Sequence, residues 1–114
     1  MPFIKADVSV KLSRDQKRDL YKALGEHISC FAGKSEHGLM TEICDECFMS
    51  HGGEAHPAIA CFLVKLFGKQ EEECFLNFTR KVCRTCEDLL AIPAEHVYIV
   101  YEYAPAWGNN YENS

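Results

Sequence analysis

Along residues 3–10 the side chains alternate: Ile4, Ala6, Val8 and Val10 fall on one face, and Lys5, Asp7 and Ser9 on the other. That two-residue period predicts a half-buried β-strand. Ser13 followed by Gln16 reads as a capping box, after which Leu20, Leu24, Ile28 and Phe31 recur at helical spacing up to Gly33. A helix of about five turns is expected there. Leu39 to Met49 carries Met40, Ile43, Phe48 and Met49 and ends in the turn-forming cluster Ser50-His51-Gly52-Gly53, which predicts a second strand.

The pattern then repeats. Pro57 opens a nearly continuous apolar run from Ala58 to Phe67, of the kind found in strands covered on both faces. After Gly68, a helix over about 70–90 places Phe75, Phe78, Val82 and Leu89 on one side, and Glu71, Glu72 and Glu73 at the positive end of its dipole. Pro93 marks its end. His96 to Tyr103 is rich in β-branched and aromatic residues and reads as the fourth strand.

Strand, helix and strand thus occur twice, in halves of about 2–53 and 57–108, each opened by a proline, Pro2 and Pro57. Right-handed crossovers make the two strands of each half parallel and put both helices on one face of a four-stranded mixed sheet. The predicted class is α/β, with two β-α-β repeats. The opposite sheet face then lacks a cover, and self-association is the economical way to supply one.

At 114 residues the chain is expected to form a single domain over 1–114, and 47% hydrophobic with 25% charged residues is an ordinary globular composition. A net charge of −5 with no basic run argues against nucleic acid and against anionic lipid surfaces. No apolar stretch approaches the length of a membrane span, and no leader-like start is seen, so the expectation is a cytoplasmic protein with any secretion by an unconventional route. Seven cysteines cannot all pair within one chain, and reduced thiols packed as small hydrophobes are expected.

Three features carry candidate chemistry. Pro2 follows Met1 directly, and methionine is removed when the next residue is small; the mature chain would begin with a secondary amine. Desolvation or nearby positive charge would lower its pKa until it served as a general base near neutral pH. The plain structural role is to stiffen the start of a strand, where a missing N–H costs little. The second feature is a pair of Cys-x-x-Cys sequences, Cys44 to Cys47 and Cys83 to Cys86, which together could form a four-thiolate zinc site. Their predicted positions on a strand and inside a helix argue against it, because zinc knuckles need turns. Third, His27, His37, His51, His56 and His96 form no metal-binding pattern and are read as surface or loop residues.

Met1-Pro2-Phe3-Ile4, Ala32-Gly33-Lys34, Gly52-Gly53 before Pro57, and Pro93-Ala94-Glu95-His96-Val97-Tyr98-Ile99 leading to Trp107-Gly108-Asn109-Asn110 occur in this order. In them the chain resembles the tautomerase superfamily, in its macrophage migration inhibitory factor and D-dopachrome tautomerase branch. The resemblance spans nearly the whole chain. It implies a homotrimer with sheets around a central channel, active sites at subunit interfaces, no metal or organic cofactor, and a small aromatic or unsaturated 2-keto acid as substrate, such as phenylpyruvate or a dopachrome derivative. It assigns Pro2 as the catalytic base and Lys34 as the carboxylate anchor. Leu66 or Phe67 would line the pocket, Tyr98 would come from a neighbouring subunit, and Trp107 would fill the indole position or neighbour it. Val100 departs from the pattern, since the mammalian cytokine members carry a pocket asparagine there. The tail from Pro105 to Tyr111 is shorter than usual, and Ala58 with Cys61 does not reproduce the family's thiol motif. The competing classes are a cytokine-like protein of this fold, acting through a protein receptor with vestigial activity, and a thiol or zinc protein.

Overall fold

The computed structural model describes residues 1–56 and 58–114. Its main sheet has four strands: β1 (Pro2–Val8), β2 (Met40–Cys44), β5 (Ala60–Leu66) and β6 (Val97–Tyr103), in the order β2-β1-β5-β6. β1 pairs parallel with β2, β5 pairs parallel with β6, and the central pair β1 and β5 is antiparallel. Two helices, α1 (Arg14–His27) and α2 (Glu72–Leu90), provide the crossovers. Two small hairpins complete the chain: β3 (Ser50–His51) with β4 (Glu54–Ala55), and β7 (Gly108–Asn109) with β8 (Glu112–Asn113).

The alternation that predicted β1 also explains the core. Burial alternates strictly along β1 and β5, so Ile4, Ala6 and Val8 join Phe62, Val64 and Leu66 beneath the helices. Leu20, Leu24 and Ile28 close this layer from the α1 side, and Phe78, Val82 and Cys86 close it from α2. The apolar run at 58–67 predicted cover on both faces. Cys61, Leu63 and Lys65 are instead only half-buried, because no helix lies on that side of the sheet.

Local signals set the helix ends. Ser13 Oγ accepts from the Gln16 N–H and Gln16 Oε1 accepts from the Ser13 N–H, completing the capping box. Ser13→Ala should lower stability by about 1 kcal/mol, seen as a small fall in melting temperature with the circular dichroism spectrum unchanged. α1 stops at His27 and tightens into a 3₁₀ turn at Ile28–Cys30, a shorter helix than the run to Gly33 suggested. α2 ends before Pro93, through Ala91 in the left-handed region (φ 54°), whose neighbour Ile92 donates back to the Cys86 carbonyl.

The two halves repeat at a constant offset. β1 and β5 are both seven residues long and start at Pro2 and Ala60, while α1 and α2 start at Arg14 and Glu72; both pairs are offset by 58 residues. The counterpart of Pro2 is therefore Ala60. Pro57 lies outside the described residues.

Between Leu39 and Met49 the regular strand is only Met40–Cys44. Glu46 takes φ 55°, and the Glu46 and Cys47 N–H groups donate to the Val10 and Val8 carbonyls, so the chain bulges away from the ladder while staying attached to β1. Asp45 fixes the bulge. Its carboxylate accepts from the Leu12 N–H at 2.9 Å and pairs with Lys17 at 3.2 Å; the Leu12 hydrogen bond first, and then Lys17, hold its pKa below the usual carboxylate value. The first Cys-x-x-Cys thus ends a strand and crosses a bend, contrary to the expected mid-strand placement. The second lies inside α2 as expected, with the Cys86 thiol pushed up to about 12 by burial. Among the described residues no three or more His, Cys, Asp or Glu side chains are arranged to hold a metal ion.

Candidate active site

Pro2 is buried at the start of β1, opposite Leu66 on β5. The Met1 carbonyl accepts from the Phe67 N–H at 3.4 Å, which extends the antiparallel ladder by one residue and holds the terminus against β5. Lys34 reaches this end of the sheet through a turn after the 3₁₀ segment in which Gly33 takes φ 75°, a conformation that suits glycine. The Lys34 Nζ donates to the Phe67 carbonyl at 2.7 Å. Burial lowers the pKa of the Met1 amine to about 6, and a hydrogen bond and the positive charge of Lys34 add to that shift.

Beside it opens a groove of about 690 Å³, lined by Met1, Pro2, Phe3, Met40, Lys65 and Trp107 among others. Trp107 is half-buried and is held by the tail: the Ser114 N–H donates to its carbonyl at 2.8 Å, and Ser114 Oγ lies 3.3 Å from Met1 Sδ. That closure depends on the β7–β8 hairpin, whose turn residues Asn110 and Tyr111 both take positive φ. The short tail still places its indole at the terminus.

The other expected residues are distributed differently. Leu66 is fully buried beneath Pro2, where it forms part of a small cavity with Phe75, Tyr101 and Tyr103. Phe67 contributes backbone, its N–H to Met1 and its carbonyl to Lys34. Tyr98 is 59% exposed on β6, facing the helix-free side with Val100. Tyr103 is the β6 residue level with Pro2, by way of Leu66, and Tyr98 is five residues farther along, roughly 16 Å at the usual rise of a strand. Within one chain Tyr98 cannot reach the groove; at that range only a second copy could bring it there.

Two features were not visible in the sequence. Lys65 lines the groove because it is the register partner of Phe3, one step from Pro2. The antiparallel pairing of the first and third strands would have been the signal. The second is a histidine cluster at the far end of the sheet, where surface or loop residues were expected. His51 Nδ1 is 2.9 Å from His96 Nδ1, the His56 and His96 rings stack with centroids 4.0 Å apart, and the His51 ring meets Tyr98 edge-on at 5.1 Å. His27 is also engaged, with its Nε2 2.8 Å from Thr85 Oγ1 between the helices and its pKa lowered mainly by burial.

The macrophage migration inhibitory factor (MIF) family profile matches residues 1–114. Among solved structures the chain is similar to MIF2 of Leishmania major, with 27% identity over 100% of this chain and 97% of that one and a TM-score of 0.91. It is also similar to the macrophage migration inhibitory factor homologue of Prochlorococcus marinus, with 28% identity, 97% of each chain covered and a TM-score of 0.80. A fused 4-OT wild-type asymmetric trimer shares the fold at 13% identity, covering 96% of this chain and 94% of that one, with a TM-score of 0.84. No curated protein matches the chain.

Proposed function

Because the chain belongs to the macrophage migration inhibitory factor family, we propose that it is a keto–enol tautomerase of 2-keto acids whose general base is Pro2, freed by removal of Met1. The observation that carries this reading is the terminal amine lowered to about pH 6 by burial and Lys34. Once Met1 is gone, the Pro2 nitrogen is the terminal amine, at the end of β1 opposite Leu66 and one residue from the Phe67 carbonyl that Lys34 engages. Its neutral form has a lone pair able to take the proton from the carbon beside the substrate's keto group. The C–H electron pair then forms the enol double bond, the carbonyl pair moves to oxygen, and a proton on that oxygen completes the enol; ketonisation runs the same steps in reverse. Lys34 binds the substrate carboxylate. In doing so it sets the reacting carbon near Pro2, a contribution of position more than of chemistry.

A homotrimer completes the site in this reading. Met40, Tyr98 and Val100 are exposed apolar or aromatic side chains, and so is Phe48 on the loop after β2, an unusual load for a chain that stays alone. The fused 4-OT relative is a trimer, and a neighbouring copy would supply Tyr98. Sedimentation should give about three times the 13.0 kDa chain mass. Lys34→Ala should raise KM for phenylpyruvate about tenfold, in the range of a lost charge-assisted hydrogen bond, with a smaller change in kcat. A stable monomer with full activity, or a Lys34→Ala variant with unchanged KM, would contradict the reading.

A further inference from the structure

Lys65 has no assigned role, and its surroundings define one. Strand alternation turns it away from the buried Val64 and Leu66 toward the helix-free face, and cross-strand pairing fixes it between Phe3 and Glu102. It is half-buried, yet among the described residues its ammonium makes no hydrogen bond and no ion pair, not even with Glu102 opposite. A half-buried lysine can pack its stem on the strand and keep its unpaired head free for an anion that enters the groove. Lys65 also lines the groove with Pro2 and Trp107. Lys34, by contrast, already has the Phe67 carbonyl and approaches the strand end from the loop after α1. The terminus is thus flanked by two lysines from separate elements, in a chain whose net charge of −5 repels anions at long range.

We propose that Lys65 is a second anion-binding residue of this groove and makes it select 2-oxo dicarboxylates over 2-oxo monocarboxylates. The inference rests on the tautomerase reading for the role of the groove, with Lys34 taking the carboxylate next to the keto group and Lys65 the distal one. Lys65 is a specificity residue and takes no part in proton transfer. Both contacts are electrostatic, so the preference weakens as salt rises.

Binding and turnover can be read separately, because Trp107 is the only tryptophan and lines the groove. Tryptophan fluorescence of the processed protein would be titrated with 2-oxoglutarate, a dianion, and with 2-oxovalerate, a monoanion of the same chain length, beside a phenylpyruvate tautomerase assay. The wild type should bind the dianion about tenfold more tightly. Lys65→Ala should remove that preference by weakening 2-oxoglutarate about tenfold while weakening 2-oxovalerate much less; Lys65→Arg should restore it. Equal binding of the two acids by the wild type, binding of neither, or equal weakening of both in Lys65→Ala would each overturn the proposal. Turnover of phenylpyruvate without a dianion preference overturns it and leaves the tautomerase reading in place. A Lys65-dependent preference without any turnover upholds it and removes the tautomerase reading.

Discussion

Pro2→Gly should lower turnover of phenylpyruvate about 10²–10⁴-fold, the usual worth of a positioned general base, while the far-ultraviolet circular dichroism stays that of the wild type. Glycine keeps a terminal amine after Met1 removal, so the loss is not total; it removes the ring and the secondary amine, and with them the fixed direction of the lone pair. The pH dependence follows from the environment of the terminus. Burial first, and Lys34 after it, depress the Met1 amine to about 6, and in this reading the same strand end lowers the Pro2 amine once it becomes the terminus. A depressed amine is protonated and inactive below its pKa and neutral above it. The rate should therefore rise with pH through a midpoint below that of an ordinary terminal amine, and level off beyond it. Lys34→Ala removes the smaller causes of the shift and leaves burial, so the rising limb should move to higher pH. A rate independent of pH between 5 and 8 would exclude Pro2 as the titrating base.

The second large effect is on stability. Phe78→Ala should cost about 3–5 kcal/mol, the range for truncating a fully buried aromatic. Phe78 has no exposed surface and lies where α2 meets the 3₁₀ turn after α1, with its ring 5.3 Å from that of Phe31 and 6.2 Å from that of Tyr101. Its neighbours cannot easily collapse into the void. Tyr101 is held by its hydroxyl, which donates to the Phe75 carbonyl and lies 2.7 Å from Thr79 Oγ1. Burial pushes that hydroxyl's pKa up to about 12, so it stays a donor throughout the neutral range. Denaturant unfolding should show the lower midpoint, and Phe78→Met should recover much of it by refilling the volume. A loss under 1 kcal/mol in Phe78→Ala would show that the helix layer is not the core described above.

What could be read in the sequence was what short-range physics decides. The alternation in β1, the Ser13 and Gln16 box and the placing of Phe78 and Val82 on the buried face of α2 each depend on residues within one or two turns, and each appears as expected; the same face continues through Cys86 and Leu90 where Leu89 was expected. Pro2 and Lys34 were found through motifs, and the fold brings them to one strand end. Features that depend on pairing distant segments were not legible. The bulge at Asp45 and Glu46 follows from bonds back to Val8, Val10 and Leu12, which no local pattern announces. The histidine cluster joins residues 45 positions apart, and Lys65 entered the groove only through its register with Phe3. The pairing of Pro2 with Pro57 falls on a residue outside the described ones, and the repeat is carried instead by the matched lengths of β1 and β5. Two-residue strands such as β3 and β8 are too short to show a period at all.

The central claim is that catalysis belongs to a free proline nitrogen, and it is tested by assaying two forms of one protein whose N-termini are verified by mass. Removal of Met1 exposes a basic secondary amine; retention of Met1 leaves the Pro2 nitrogen in an amide with no basic lone pair and keeps an extra side chain in the groove. Both forms should fold and sediment alike. The processed form should turn over phenylpyruvate, and the Met1-retaining form should show no activity above the uncatalysed rate. Equal activity in the two forms would contradict the mechanism while leaving the fold and family unchanged.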